Sequence, residues 1–397
     1  MRSSRLWFAF LLSILATSVV PASAGVLETS AEHALLMDAA SGQVLWAKDA
    51  YAPMPPASMS KLMTLELLFQ RLKDHRLKLS DTFTVSERAW GTQGSKMFVK
   101  LGDKIPVEDL IRGIIIDSGN DACIVVAEGI GGTVENFVSM MNARAKQLGL
   151  AQSHFVNPDG LPDPPGQLMS ALDLAKLARH LIVDYPQYYP YFGEHTFSWS
   201  NITQNNRDTV LSKLPGADGL KTGHTDAAGY GITVSAKQNG RRLILVLNGL
   251  RYPDLDKSSP ARQDWVAGQR RGDEAARILS IAFREFRQYK LFDAGEKIGD
   301  ADVWQGDRDT VPLTIQNPLS VTLTPEARAS MKVAFTYDGP VKAPIARGQK
   351  IGMLDVTAPG YPDLKVPLVA AESAGSAGWF GRIFLGVRAI FSRHSGG

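Results

Sequence analysis

The sequence predicts an α+β domain, an antiparallel sheet packed by helices, followed by a small all-β domain. Three observations predict it. Short apolar strands stand at both ends of the first 290 residues, with helical patterns between them. Asn239-Gly240 joins two alternating runs, "YGITVSAKQ" and "RRLILVLNGL", the sequence signal of a type I′ hairpin. From about residue 292 the helical spacing stops, and short alternating runs cut by Pro and Gly take over.

Taken in order, the chain opens with Arg2 and Arg5, the apolar run "LWFAFLLSILATSVV" and the small-residue site Ala22-Ser23-Ala24. This pattern predicts a signal peptide over residues 1–24. Its apolar core is shorter than a bilayer-spanning helix needs, with an uncleaved anchor as the alternative. "ALLMDAASGQVLWAKDA" reads as a hairpin turning at Ser41-Gly42. Prolines 53, 55 and 56 break the chain, and Ser58 then opens a helix with apolar Leu62, Met63, Leu65, Leu67, Leu68 and Leu72. Helical regions follow over about 107–129, interrupted near "DSGNDA", and about 134–148. "FVNPDGLPDPPG" is a turn-rich loop, and Ser170 caps another helix. "DEAARILSIAFREF" restores helical spacing after the hairpin.

These patterns divide the chain into a first domain over 25–291, an all-β domain over 292–370, a flexible linker over 371–378 ("AAESAGSAG" with its flank) and a tail over 379–397. In the tail, Trp379, Phe380, Ile383, Phe384, Val387, Ile390 and Phe391 fall within an arc of roughly 140° at about 100° per residue. Arg382, Arg388 and Arg393 lie outside that arc. The pattern predicts an amphipathic helix lying on a membrane surface, too short to span it; docking on its own protein is the alternative.

Composition removes several function classes. The 43 Lys and Arg barely exceed the 40 Asp and Glu, so no strong field for nucleic acid is implied. Cys123 is the sole cysteine, so an exported chain has no internal disulfide. It sits in the apolar stretch "ACIVVAEGI" and reads as a buried small hydrophobe. The few scattered histidines show no metal-binding spacing, so neither a metal nor another cofactor is expected.

The chemistry lies in three short motifs: Ser58-x-x-Lys61, "SGN" at Ser118 to Asn120, and "KTG" at Lys221 to Gly223. At average composition a chain of this length carries about one or two Ser-x-x-Lys matches by chance but only about a tenth of a Lys-Thr-Gly. The ordered trio therefore carries weight that no member carries alone. It is the known signature of class A β-lactamases and penicillin-binding proteins. Ser58 at a helix start projects its hydroxyl beside free N–H groups, and Lys61 lies on the same face. Lysine serves as a base only when neutral, and burial together with a second cation at Lys221 would lower its pKa. Ser118 and Asn120 can relay a proton and bond a substrate amide. Lys221 and Thr222 stand at the start of a probable edge strand, where an extended peptide can add and its carboxylate meets positive charge.

With these motifs, and with "SGNDAC", "ITQNNRD", "DGLKTGHT" and "GWFGR", nearly the whole chain resembles the low-molecular-mass penicillin-binding proteins, the serine D-alanyl-D-alanine carboxypeptidases of peptidase family S11. The resemblance implies a β-lactamase/transpeptidase-like catalytic domain before the β domain. It implies Ser58 as acyl-enzyme nucleophile, Lys61 as general base, Ser118 and Asn120 as the second motif, and Lys221, Thr222 and Gly223 as the third. The N–H groups of Ser58 and His224 would form the oxyanion hole, and Arg207 and Arg271 would position substrate, although a surface salt bridge explains a lone arginine about as well.

Two departures stand out. Leu168 and Met169 occupy a loop where family members often carry histidine and serine, and "NNRD" with Asp208 replaces the more usual "NRN". The implied activity is removal of the terminal D-alanine from peptidoglycan stem peptides in the periplasm, with β-lactams as covalent inhibitors and the inner-membrane surface as a partner of the tail. A D,D-endopeptidase shares every motif, and a non-catalytic wall-binding protein would share the fold. A β-lactamase fits less well, because none of Glu128, Glu135 and Glu194 has the setting of a deacylating glutamate. The β domain reads as a stalk or as a partner-docking surface.

Overall fold

A computed structural model describes residues 27–255 and 259–378. The predicted signal peptide and the amphipathic tail lie outside the described residues. β1 (His33–Asp38) and β2 (Val44–Lys48) form the expected hairpin. A 3₁₀ turn, Ala57–Ser60, runs into α1 (Lys61–Lys73). Next come β3 (Thr82–Thr84), α2 (Glu87–Gly91), β4 (Lys104–Pro106), α3 (Val107–Ile115), α4 (Asn120–Gly131), α5 (Val134–Gln147) and α6 (Ala171–Asp184). The Ser170 side chain caps α6 by accepting the Asp173 N–H, as its position predicts. After the hairpin β5 (Thr196–Trp199) and β6 (Ile202–Asn205), the chain forms β7 (Ala217–Thr225), β8 (Gly229–Gln238) and β9 (Arg241–Leu250), then α7 (Pro260–Glu285). Asn239 and Gly240 turn the β8–β9 hairpin with φ of 50° and 79°, the left-handed pair that a type I′ turn requires.

The five strands β2-β1-β9-β8-β7 form one antiparallel sheet with β7 at its edge. Strand alternation divides its side chains between two cores. Leu35, Met37, Ile244 and Val246 face α1, α3, α4, α5 and α6. Ala34, Leu36, Leu245 and Leu247 face Ala275, Ile278, Leu279 and Ala282 of α7. Helices cover both faces, so β1 and β9 read as nearly unbroken apolar runs. α1 passes through the first core, and every residue from Lys61 to Phe69 is buried. A helix enclosed on all sides is apolar all round, and its polar members need partners. Thr64 donates to the Pro158 carbonyl, and Glu66 accepts from Arg144 and Tyr185.

The second unit comprises β10 (Arg287–Phe292), β11 (Lys297–Trp304), β12 (Thr310–Thr314), β13 (Leu319–Leu323), α8 (Pro325–Ala329), β14 (Lys332–Tyr337), β15 (Val341–Lys342), β16 (Lys350–Thr357) and β17 (Leu364–Ala370). β14-β16-β17-β12-β11-β15 form a six-stranded sheet, and β10 pairs with β13. The unit takes the chain from Arg287, earlier than residue 292, because β10 follows directly on α7. The expected flexible linker over 371–378 is a correction: Ser376 bridges Gly306 and Ala374 bridges Ile345, so small residues pack along the β unit there. The chain's small side chains suit close packing as well as they suit a linker.

Candidate active site

Ser58 does not open an α-helix. It sits inside the 3₁₀ turn, and α1 starts three residues later at Lys61. The tighter turn still sets the two side chains side by side, with Lys61 Nζ 2.8 Å from Ser58 Oγ. Ser58 is half-buried and lines a cleft of about 540 Å³, while Lys61 is fully buried beneath it. Two further acceptors surround the amine: Asn120 Oδ1 at 2.7 Å and the Asp159 carbonyl at 2.5 Å. Neither an amide oxygen nor a carbonyl oxygen can donate. A neutral amine has two N–H bonds and one lone pair. With the two N–H bonds directed at Asn120 and Asp159, the lone pair is left for the Ser58 hydroxyl proton.

The electrostatics favour that neutral form. Burial lowers the pKa of Lys61 from the ordinary lysine range, and Arg207 adds to the shift. Asp159 and Asp121 oppose it without outweighing burial, and Cys123 would oppose it only as a thiolate. Burial pushes that thiol up to about 12, so at neutral pH it carries no charge. Lys221 is also fully buried and lies well below the ordinary range, first through burial and then through Lys61 and Arg207. Its Nζ donates to Ser118 Oγ at 2.9 Å. Ser118, at φ 56°, is held in the left-handed region between α3 and α4, which turns its hydroxyl toward Lys221.

Asn120 has two partners inside the protein. Its Oδ1 is taken by Lys61, and its Nδ2 donates to the Gln93 carbonyl at 2.7 Å. Both ends have a partner beside the base, while the amide nitrogen carries a second N–H that can reach a substrate carbonyl. Lys221 lies in mid-strand on β7, not at its start. Gly223 has a steric reason to be glycine: a Cβ there would stand 2.9 Å from the Pro56 carbonyl, 3.1 Å from Ala57 Cβ and 3.2 Å from the Met59 nitrogen. Its bareness lets the turn carrying Ser58 press against β7. Gly160 does the same from the opposite side, where a Cβ would meet the Ala57 carbonyl at 2.1 Å.

Arg207 lines the cleft and donates to Ser95 Oγ at 2.7 Å. Arg271 also reaches the cleft but is almost wholly buried, donating to the carbonyls of Gly223 and Gly231 at 3.2 Å and so bracing β7 against β8. Thr222, Gly223 and His224 complete the strand side of the cleft. The His224 ring stacks on Tyr230 with centroids 3.7 Å apart and planes 4° apart, and burial lowers its pKa. Asp208 caps a short 3₁₀ turn through the Val210 N–H, and burial pushes its carboxyl up to about 6. Met169 exchanges backbone hydrogen bonds with Met54, upstream of Ser58, and Leu168 does so with His154. These two residues serve the scaffold.

Sequence reasoning missed four contributors: the Asp159 carbonyl, Ser95, Tyr230, and the wall formed by Asp264 and Trp265. A backbone carbonyl has no sequence signature, since any residue supplies one. For the wall a signal existed. Ser259-Pro260 is a helix-start pair, and α7 begins there, 13 residues before the helical spacing becomes evident at Asp273.

Comparison with known proteins agrees with this geometry. The family model described as D-alanyl-D-alanine carboxypeptidase, peptidase family S11, matches residues 18–250, and that of the penicillin-binding protein 5 C-terminal domain matches 286–375. The chain is 36% identical over 385 residues to the D-alanyl-D-alanine carboxypeptidase DacD of Escherichia coli K12, covering 95% of each. It superposes with a TM-score of 0.76 on penicillin-binding protein 5 of Haemophilus influenzae, at 34% identity over 88% of this chain and 98% of that one. The cefotaxime-bound form of penicillin-binding protein D2 of Listeria monocytogenes matches at 25% identity and a TM-score of 0.56, over 65% of this chain and 98% of that one. A half-buried serine over a buried lysine beside the edge strand of this sheet, in a chain matched along nearly its whole length, places the protein in the S11 family of D-alanyl-D-alanine carboxypeptidases, the low-molecular-mass penicillin-binding proteins.

Proposed function

We propose that the chain removes the terminal D-alanine from peptidoglycan pentapeptide stems as a serine D,D-carboxypeptidase, through an acyl-enzyme on Ser58. The observation that carries the reading is the saturated environment of Lys61 Nζ, which leaves its lone pair for one hydroxyl only. The substrate adds beside the free edge of β7, its carboxylate meeting Arg207 and Thr222. Lys61 takes the Ser58 proton as Oγ bonds to the scissile carbonyl carbon. The N–H groups of Ser58 and His224 receive the oxyanion. The C–N bond then breaks, and the proton held by Lys61 passes to the departing amine. Water attacks the ester with its proton going to Lys61, and Ser58 leaves protonated. Lys221, bonded to Ser118 Oγ, sets N–H and O–H donors beside this path, and Arg271 and Gly223 position the strand and the nucleophile.

A β-lactam would acylate Ser58 by the same first steps, in keeping with the penicillin-binding name of the relatives. We further propose an exported, periplasmic enzyme attached to the inner-membrane surface by residues 379–397, on the strength of the signal-like start and the one-sided apolar arc of the tail. Mass spectrometry after incubation with penicillin, paired with D-alanine release from a defined pentapeptide, tests the reading. The expected result is a covalent adduct on the peptide containing Ser58 and loss of release in Ser58→Ala. An unmodified Ser58, or full activity of the variant, would overturn it.

A further inference from the structure

We propose that the cleft also accepts terminal D-residues larger than alanine, and that Asp264 with Trp265 selects those carrying a cationic side chain. The inference rests on the hydrolase reading above. Past Ser58, the cleft continues beyond Arg207 and His224 to the first turns of α7. With the terminal carboxylate on Arg207 and Thr222, the side chain of the departing residue faces this outer space. The methyl group of alanine fills little of a cleft of about 540 Å³.

The outer wall has its own chemistry. Among the described residues lining the cleft, Asp264 is the one carboxylate, in a site otherwise furnished with the cations Arg207 and Arg271. Its Oδ1 accepts the Tyr230 hydroxyl at 2.8 Å and lies 3.5 Å from His224 Nδ1, so the group is held in a fixed orientation. Its side chain nevertheless remains 61% exposed. Next to it, Trp265 is 66% exposed, a large apolar side chain left at the mouth of the cleft. A carboxylate beside an open indole suits a lysine-like side chain, whose methylenes lie on the ring while its ammonium meets the acid.

The test uses the full chain and three acyl-D-alanyl peptides ending in D-alanine, D-lysine or D-norleucine, the last being an uncharged analogue of similar length. The expected result is release of D-lysine at a kcat/KM within about tenfold of D-alanine and above that of D-norleucine. Asp264→Asn should lower the ratio of D-lysine to D-alanine release about tenfold, and Trp265→Ala should weaken both long residues. Equal losses on D-alanine and D-lysine in Asp264→Asn would show that the carboxylate only holds His224 and Tyr230 in place, and would overturn the proposal. So would a wild type that leaves D-lysine ends uncut while releasing D-alanine. Inactivity of the wild type on all three peptides would instead bring down the hydrolase reading, and the selectivity with it.

Discussion

At the scale of single residues, the site works by limiting what one amine can do. Lys61 has three neighbours within hydrogen-bond reach and no water-facing surface, so its protonation state is set first by burial and then by the charges around it. Only its neutral form is a base. Acylation should therefore rise with pH through the lowered pKa of Lys61, with the acid limb below the ordinary lysine range. Asn120→Asp places a carboxylate against the amine, favours the ammonium, and should move that limb upward by roughly one to three pH units. The pH dependence of penicillin acylation measures it, and an unmoved limb would remove Asn120 from control of the base. Asp117 behaves differently. Burial pushes its carboxyl up to about 7, while Arg207 and Lys221 pull it down and Asp121 pushes it up, and Oδ1 has no hydrogen-bond partner. Its folded pKa lies above its unfolded one, so the folded state loses stability as pH rises toward 7 and the charge must be buried. Asp117→Asn should raise the melting temperature by the order of a few degrees at pH 8 and leave it unchanged at pH 4. Equal shifts at both pH values would contradict this.

At the scale of elements, the proposed catalysis depends on three segments approaching closely: the Ser58 turn, β7, and the loop presenting the Asp159 carbonyl. Glycines stand at both contacts. Gly223→Ala would push the turn off the strand by a few tenths of an ångström or more, and should cost acylation about 100-fold. Circular dichroism and thermal melting should show the fold retained. Wild-type acylation by this variant would mean that the contact can relax without moving Ser58. The sequence marked the Ser58 turn and β7 clearly, because their side chains carry the chemistry. It marked the loop only as a loop. Its self-bonding through Asn157, Asp159 and Gln167, which sets the carbonyl, is a property of the folded backbone.

At the scale of the whole molecule, the β unit is joined to the catalytic unit by more than a linker. Thr322 on β13 donates its backbone N–H to Gln43 Oε1 and its hydroxyl to Asp38 Oδ2 at 3.0 Å, both acceptors belonging to the first hairpin. Tyr361 packs against the cores of both units. Such contacts suit a stalk that holds the cleft at a set distance from the membrane surface to which residues 379–397 are proposed to attach. Deleting residues 379–397 should move the protein from the membrane to the soluble fraction with D-alanine release from soluble peptide intact. Persistence with membranes after the deletion would assign attachment to another part of the chain.

The sequence by itself pointed to the proposed nucleophile and base, to the strand that borders them, and to the division into an α+β unit and a β unit. Side-chain chemistry at short spacing and the periods of apolar residues are local properties. Tertiary structure alone decided that Asn120 serves Lys61, that a carbonyl 98 residues away completes its shell, that small residues near the end pack along a sheet, and that α7 walls the cleft. Each of these depends on segments distant in the chain meeting at hydrogen-bond range. A polar atom shows its partner only once the core has fixed where both of them lie.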